Sequence, residues 1–154
     1  MKKKQIQKYF ANEVELLHFS GELAKIIPSG TIIYLLGPLG AGKTTFTRGF
    51  LRGLAYQAKV KSPTYTLIEP YEIADKQIFH FDLYRLHDAK ELEQIGIHEY
   101  FNERTICLIE WPEKGFPLLP AADLLCFIDF QDDGRKLRVE AQSERGEKIL
   151  KSLY

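Results

Sequence analysis

The residues best suited to chemistry form one glycine-rich segment, Gly37 to Thr44. It reads Gly-Pro-Leu-Gly-Ala-Gly-Lys-Thr and matches the phosphate-binding pattern G-x-x-x-x-G-K-[ST]. Glycines allow backbone conformations that turn successive amide groups toward an anion, and the start of a following helix adds partial positive charge. We predict that Lys43 reaches the β- and γ-phosphates of a nucleotide and that the Thr44 hydroxyl coordinates Mg²⁺.

Two acidic residues each follow a run predicted to be a buried strand. Asp82 comes after Ile78 to Phe81, and Glu110 comes after Ile106 to Ile109. Nucleotide hydrolysis requires a carboxylate that organises Mg²⁺ and a group that positions water, and ligands of α/β folds collect at such strand ends. A helix cap or surface ion pair is the alternative for either acid, but it fits poorly for two acids placed alike.

Hydroxyl groups are concentrated in the loop Ser62-Pro63-Thr64-Tyr65-Thr66. Other P-loop proteins place a segment that senses the γ-phosphate at this point of the chain, so Thr64 and Thr66 are candidate switch ligands. An ordinary proline turn leading into a strand explains the loop equally well. His80 alternates with aromatic residues, which favours a packed strand residue over a general base.

The elements around the glycine-rich segment suit a phosphate site. Thr31 to Leu36 predicts a strand buried on both faces, as in a parallel sheet, and Thr44 to Ala55 predicts the crossover helix. Before them, Val14 to Ile27 has the periodicity of an amphipathic helix that Pro28 brings to an end. This context makes a chance match of the glycine pattern a poor explanation.

The remaining patterns predict an α/β fold in one domain, residues 1–154. We expect a P-loop NTPase-like three-layer sandwich with a mixed, mostly parallel sheet and an antiparallel hairpin. The hairpin is predicted from Thr66 to Tyr71 and Gln77 to Asp82, and a short helix from Asp88 to about Gly96. Further strands are expected at Thr105–Trp111, Asp123–Phe130 and Lys136–Ala141, followed by a closing helix at Ser143–Leu153.

Composition limits the classes of function. The 154 residues include 21 basic and 21 acidic side chains, so the formal net charge of zero argues against an autonomous nucleic-acid binder. Cys107 and Cys126 lie in apolar runs and are expected to be reduced core thiols. With no signal-peptide or membrane-spanning pattern, we expect a cytoplasmic protein that reaches any nucleic acid through a partner.

Four motifs in order resemble the TsaE family, formerly called YjeE. They are Leu39-Gly40-Ala41-Gly42-Lys43-Thr44-Thr45-Phe46, Lys61-Ser62-Pro63-Thr64-Tyr65-Thr66-Leu67, His80-Phe81-Asp82-Leu83-Tyr84-Arg85-Leu86 and Leu108-Ile109-Glu110-Trp111-Pro112. The resemblance implies a small ATPase, using ATP/ADP and Mg²⁺, that serves threonylcarbamoyl modification (t6A) of adenosine 37 in tRNAs reading codons that begin with A. It also implies that the TsaB–TsaD pair performs the transfer and that the ATPase keeps this pair turning over, so tRNA is reached indirectly.

The same resemblance implies roles for individual residues. Catalytic roles fall to Lys43, Asp82 and Glu110, the Mg²⁺ site to Thr44 and Glu110, and the switch loop to Thr64 and Thr66. Trp111 is a conformational neighbour of the site. Nucleotide contacts are implied for Glu13, Gly40, Ala41, Gly42, Lys43, Thr44, Thr45 and Arg135.

One position departs from the family pattern, which commonly has Asp after the first glycine of the loop, where this chain has Pro38. Proline has no amide hydrogen, so this position cannot donate to phosphate. The donors from Gly40 to Thr44 remain. We predict that nucleotide binding survives and that the loop is stiffer.

Two other functions remain open from the sequence. A small-molecule kinase would require an acceptor pocket and an arginine-bearing lid, for which 154 residues leave little room. A nucleotide-gated interaction module, in which hydrolysis is incidental, is compatible with every motif. The chain lacks the guanine-reading pattern N-K-x-D, which favours adenine, and we expect a monomer when partners are absent.

Overall fold

The computed structural model describes residues 4–153. Its central element is a seven-stranded mixed sheet. The strand order is β1-β7-β6-β2-β5-β4-β3. The strands are β1 (Gln5–Phe10), β2 (Ile32–Leu36), β3 (Ile68–Ile73), β4 (Lys76–Asp82), β5 (Thr105–Glu110), β6 (Leu124–Gln131) and β7 (Gly134–Ala141). The four central strands, β6, β2, β5 and β4, are parallel, whereas β1–β7, β7–β6 and β4–β3 pair antiparallel.

Helices cover the sheet on both faces. The α-helices are α1 (Glu13–Ile26), α2 (Lys43–Gly53), α3 (Glu91–Gln94) and α4 (Glu144–Ser152), and short 3₁₀ helices lie at Ile97–Tyr100 and Pro112–Gly115. The sequence prediction of an α/β sandwich with a parallel central region is therefore confirmed.

The larger core lies between the sheet and helices α1, α2 and α4. Alternate residues of the central strands, such as Ile78, Ile106 and Leu108, face this layer, where they pack with Phe46 and Phe50 of α2. The intervening residues of the same strands face the opposite layer. Because side chains alternate along a strand, the even-numbered residues of β4 and β5 all point toward α2.

The opposite core is smaller and lies beneath α3 and the 3₁₀ helices. Tyr34, Phe79, Phe81 and Ile109 of the sheet pack there against Leu92 of α3. The predicted core thiols are found: Cys107 and Cys126 are buried and not disulfide-bonded, and burial raises the pKa of each to about 12. Among the described residues, no helix has both the length and the apolar character required to cross a bilayer.

Three elements differ from the sequence prediction. β1 is an edge strand that the sequence analysis missed, because its two buried residues, Ile6 and Phe10, are spaced by four as on a helix. The strand expected from Thr66 begins at Ile68, since Leu67 adopts a left-handed φ of 68° and its amide closes a turn by donating to Pro63 O. The helix expected from Asp88 begins at Glu91.

Candidate functional site

The glycine-rich segment forms a tight loop between β2 and α2. Gly37 has φ 145°, and a Cβ at this position would lie 2.0 Å from the carbonyl oxygen of Ile128. Gly42 precedes α2 with φ 119°. The first helical hydrogen bond runs from the Phe46 amide to Gly42 O at 2.8 Å, so the amides of Lys43 to Thr45 have no acceptor within the helix. These free donors at a helix N-terminus are suited to an anion.

Lys43 is folded back onto the protein. Its Nζ donates to Gly37 O at 2.5 Å and lies 3.9 Å from the centre of the Trp111 ring. Lys43 is only 5% exposed, and burial lowers its pKa despite the carboxylates of Glu110 and Asp82 nearby. Trp111 itself has a left-handed φ of 56°, a conformation that costs energy for a bulky residue.

Asp82 and Glu110 end two neighbouring parallel strands and lie opposite each other in the register of β4 and β5. Both are buried, at 8% and 3% exposed, and both face α2. The Thr44 hydroxyl donates to Glu110 Oε2 at 3.3 Å. Burial raises the pKa of Asp82, an effect partly opposed by the hydrogen bond from the Tyr84 amide to Asp82 Oδ1 at 3.1 Å.

His80 contacts the site directly, which the sequence analysis did not anticipate. It is fully buried, as predicted for a packed strand residue, but its Nε2 lies 2.6 Å from Glu110 Oε2. A signal was available, because His80 lies two residues before Asp82 and therefore on the same face of β4. What the sequence could not show is the cross-strand register that brings His80 within reach of Glu110.

The hydroxyl-rich loop reaches the site through one threonine and not the other. Thr64 donates to Asp82 Oδ2 at 3.3 Å and shares a 2.7 Å hydrogen bond with Ser62. The hydroxyl of Thr66 instead donates to Glu69 at 3.1 Å, and Thr66 does not line the cavity that contains Asp82 and Glu110. In this structure Ser62, rather than Thr66, accompanies Thr64 at the site.

One open cavity of about 370 Å³ is lined by several of these groups, namely Lys43, Thr44, Thr64, Asp82, Glu110 and Trp111. The cavity is lined by the glycine-rich loop, by the start of α2 and by the two carboxylates. The sequence analysis did not identify Ser62, Tyr84 and Arg85 as lining residues. The guanidinium of Arg85 lies 4.8 Å from the ring centre of the exposed Tyr65.

A second cavity, of about 240 Å³, adjoins the other side of the same loop. Glu13 and Arg135 both line it, together with Gly40 and Thr45. Arg135 Nε donates to Ala41 O at 2.9 Å, and Glu13 accepts from Arg48 at 2.9 Å. Glu13 and Arg135, for which the family resemblance implies nucleotide contacts, therefore lie together beside the loop.

The donor set limits which metal can fit. Across residues 4–153, no group of three or more His, Cys, Asp or Glu side chains is arranged to hold an ion. Thr44 and Glu110 instead offer a hydroxyl and a carboxylate beside an anion site. Hard oxygen donors in small number suit Mg²⁺, which completes its coordination with phosphate oxygens and water. The arrangement can thus hold a polyphosphate together with a divalent ion.

Comparisons with known proteins agree on one family. The family model described as "Threonylcarbamoyl adenosine biosynthesis protein TsaE" matches residues 10–139. The tRNA threonylcarbamoyladenosine biosynthesis protein TsaE of Haemophilus influenzae is 50% identical over 150 residues, covering 94% of this chain and 95% of that protein. TsaE of Bacillus subtilis is 36% identical over 151 residues, covering 97% and 94%. The crystal structure of Bacillus subtilis YdiB superposes with a TM-score of 0.85 at 31% identity, covering 99% of this chain and 96% of that one.

Proposed function

The chain belongs to the TsaE family of tRNA threonylcarbamoyladenosine biosynthesis proteins, and on that premise we propose that it is a P-loop ATPase that hydrolyses ATP with Mg²⁺. Its activity drives turnover of the TsaB–TsaD transfer complex and thereby supports t6A formation at adenosine 37 in tRNA. We place this activity in the cytoplasm.

One observation carries the proposal: the phosphate-binding loop and the two strand-end carboxylates meet in a single cavity. Lys43, Thr44, Asp82 and Glu110 all line it, although they come from three separate parts of the sequence. A phosphate-binding loop without carboxylates would serve binding alone. Phosphoryl transfer to water requires carboxylates in addition to the free helix amides, and this cavity contains both.

Each residue has a proposed task when nucleotide enters. The amides at the start of α2 bind the phosphates, and Lys43 leaves Gly37 O and the Trp111 ring to contact the β- and γ-phosphates. Thr44 and Glu110 would hold Mg²⁺, which would neutralise charge on the phosphate oxygens. Asp82 orients the water whose oxygen bonds to the γ-phosphorus while the bond to the β–γ bridging oxygen breaks. The products are ADP, inorganic phosphate and a proton that is released to solvent.

The second cavity is the proposed site for the nucleoside part. Arg135 lines this cavity and donates to Ala41 O of the glycine-rich loop. Glu13 and Thr45 also line it. Pro38 is compatible with this arrangement because it contributes only a carbonyl group, which accepts from the Ala41 amide at 3.1 Å. The loop therefore forms its turn although Pro38 has no amide hydrogen to donate.

The proposed partner is the TsaB–TsaD pair, with tRNA reached only through that complex. The open cavity supports this dependence, because bound phosphates would remain in contact with water that competes for their hydrogen bonds. A partner covering the cavity would exclude that water and order the loop that carries Thr64. We therefore expect weak hydrolysis by the protein alone and faster hydrolysis with the pair.

Steady-state ATP hydrolysis by the purified protein, alone and with the TsaB–TsaD pair, tests the proposal. Stimulation by the pair that is lost in Lys43→Ala would support it, and the variant also controls for a contaminating ATPase. No hydrolysis in either condition, with ATP binding and partner activity both verified, would refute it. A nucleotide-gated interaction module would then be the better account, whereas a phosphorylated acceptor in a metabolite screen would indicate a kinase.

A further inference from the structure

His80 occupies a position that core packing alone does not explain. It is a fully buried polar residue in β4, on the face that meets α2. Two of its neighbours on that face are apolar, Ile78 before it and Leu108 across from it in β5, and the third is the buried Asp82. An imidazole among apolar residues costs desolvation energy unless its polar atoms are hydrogen-bonded. Among residues 4–153, the hydrogen-bond partner of its ring is Glu110, at 2.6 Å.

The two ring nitrogens have different surroundings, which identifies the donor. Nδ1 is buried and has no hydrogen-bond partner among the described residues. A hydrogen on Nδ1 would be an unsatisfied buried donor, and the Nε2 lone pair would then face a carboxylate oxygen. With the hydrogen on Nε2, the ring donates to Glu110 Oε2 and only a lone pair at Nδ1 lacks a partner. We therefore assign the hydrogen to Nε2.

We propose that His80 is a positioning residue that orients the Glu110 carboxylate for the metal. This inference rests on the proposed function. Glu110 Oε2 accepts from both His80 Nε2 and the Thr44 hydroxyl, at 2.6 Å and 3.3 Å. Two donors on one oxygen fix the rotation of the carboxylate and leave Oε1 free to face the cavity.

The 2.6 Å contact is the more important of the two. The Thr44 hydroxyl can rotate, and it is itself a proposed ligand, so it constrains Glu110 weakly. The imidazole of His80 is held by the surrounding core and cannot move away. Partners of this kind around metal ligands typically change metal affinity or activity by about 10–100-fold when they are removed.

A matched pair of variants separates positioning from packing. His80→Gln places an amide donor near the position of Nε2, whereas His80→Met has similar length and no donor. Ile78→Ala is the packing control, because it creates a cavity two residues earlier on the same face of β4. Thermal unfolding of all three shows that each folds and how much stability it has lost.

The readout independent of activity is the gain in ADP affinity that Mg²⁺ produces, measured by calorimetry with MgCl₂ and with EDTA. We expect His80→Met to reduce this gain by about 10-fold while leaving ADP affinity in EDTA unchanged. His80→Gln should keep most of the gain. Ile78→Ala should lower the melting temperature and keep the gain. In hydrolysis assays, His80→Met should lower kcat and raise the Mg²⁺ requirement without raising KM for ATP.

A double-variant measurement identifies Glu110 as the group through which His80 acts. In a Glu110→Ala background, His80→Met should have no further effect on the Mg²⁺-dependent gain. A wild-type gain in His80→Met, or an equal loss in Ile78→Ala, would overturn the inference. The wild-type protein could show the Mg²⁺-dependent gain and yet no hydrolysis. That result would refute the proposed ATPase, and the calorimetry would still decide the role of His80.

Discussion

At the residue scale, the cavity holds charges under conditions that disfavour them. Burial raises the pKa of Asp82 and lowers the pKa of Lys43, so each charged form is less stable here than in water. Destabilised charged groups of this kind are common at functional sites, because the same groups interact strongly with a ligand once it is bound. Removing one of these charges should therefore stabilise the ligand-free protein while impairing its function.

Asp82→Asn is predicted to raise the free energy of unfolding at neutral pH by about 1 kcal/mol, or roughly 2–4 °C in Tm. Because folding raises the pKa of Asp82, the folded state binds this proton more tightly than the unfolded state does. The contribution of Asp82 to stability is thus most favourable below its ordinary pKa of 3.8 and declines as the pH rises through the raised value.

Urea unfolding of both proteins at pH 7 and at lower pH tests this prediction. The advantage of the Asn variant should shrink as the pH is lowered through the raised pKa of Asp82, because the wild-type carboxyl gains its proton there. Both proteins share every other titrating group, so their difference isolates Asp82. A variant less stable than wild type at pH 7 would contradict the argument.

The second prediction at this scale uses Trp111, the single tryptophan of the chain. The Lys43 ammonium lies 3.9 Å from its ring centre, and proposed phosphate binding would draw it away. ADP or ATP should therefore change the Trp111 emission intensity or wavelength, and adenosine should not. Titration of each compound with fluorescence detection measures this. An equal change with adenosine would show that phosphate capture by Lys43 is not the cause.

At the scale of elements, the position of the phosphate loop depends on how closely α1 and α2 approach. Gly53 of α2 and Gly21 of α1 meet at their crossing, where a Cβ on Gly53 would lie 2.2 Å from Gly21 O. Gly49 makes a similar approach to Ser20 and Leu17. These glycines let α2 lie against α1 while its first turn points into the cavity. The helix pair thus sets the direction of the free amides at the start of α2.

Gly53→Ala is predicted to destabilise the protein by about 2 kcal/mol, because a steric cost of roughly 1–3 kcal/mol or more outweighs the better helix propensity of alanine. The melting temperature should fall by roughly 4–8 °C. Arg52→Ala, at the exposed neighbouring position, is the control and should change it little. A Gly53→Ala protein as stable as wild type would show that the helices can separate without cost.

At the scale of the whole molecule, the central strands of the sheet are parallel, and this places both carboxylates at the carboxyl ends of neighbouring strands. β4 and β5 run in the same direction with Asp82 opposite Glu110, and β2 lies beside β5 and leads into the phosphate loop. The cavity takes residues from α2, from the ends of β4 and β5 and from the loops beside them, so a ligand bound there would contact several elements of the domain at once. Stability of the entire domain should therefore respond to nucleotide.

ADP with Mg²⁺ at 100 times its dissociation constant is predicted to stabilise the protein by about 2.7 kcal/mol. For a domain of this size the corresponding rise in Tm is roughly 5–11 °C. Differential scanning fluorimetry measures it, and EDTA should reduce it because Thr44 and Glu110 would no longer be joined through the ion. Lys43→Ala is the control. An equal rise in that variant would place the nucleotide elsewhere.

The sequence by itself determined the glycine-rich loop, the two strand-end carboxylates and the sandwich class, because each depends on local spacing or on alternation within one segment. Lys43, Thr44, Asp82 and Glu110 were all identified in this way. Only the tertiary structure decided that His80 contacts Glu110, that Lys43 rests on Trp111 and that Thr66 turns away from the cavity. The His80 contact depends on the register of β4 against β5, and the Lys43 contact depends on β2 lying beside β5 and on the left-handed backbone of Trp111. The position of Thr66 depends on the left-handed turn at Leu67, and none of these features follows from the residues of one segment alone.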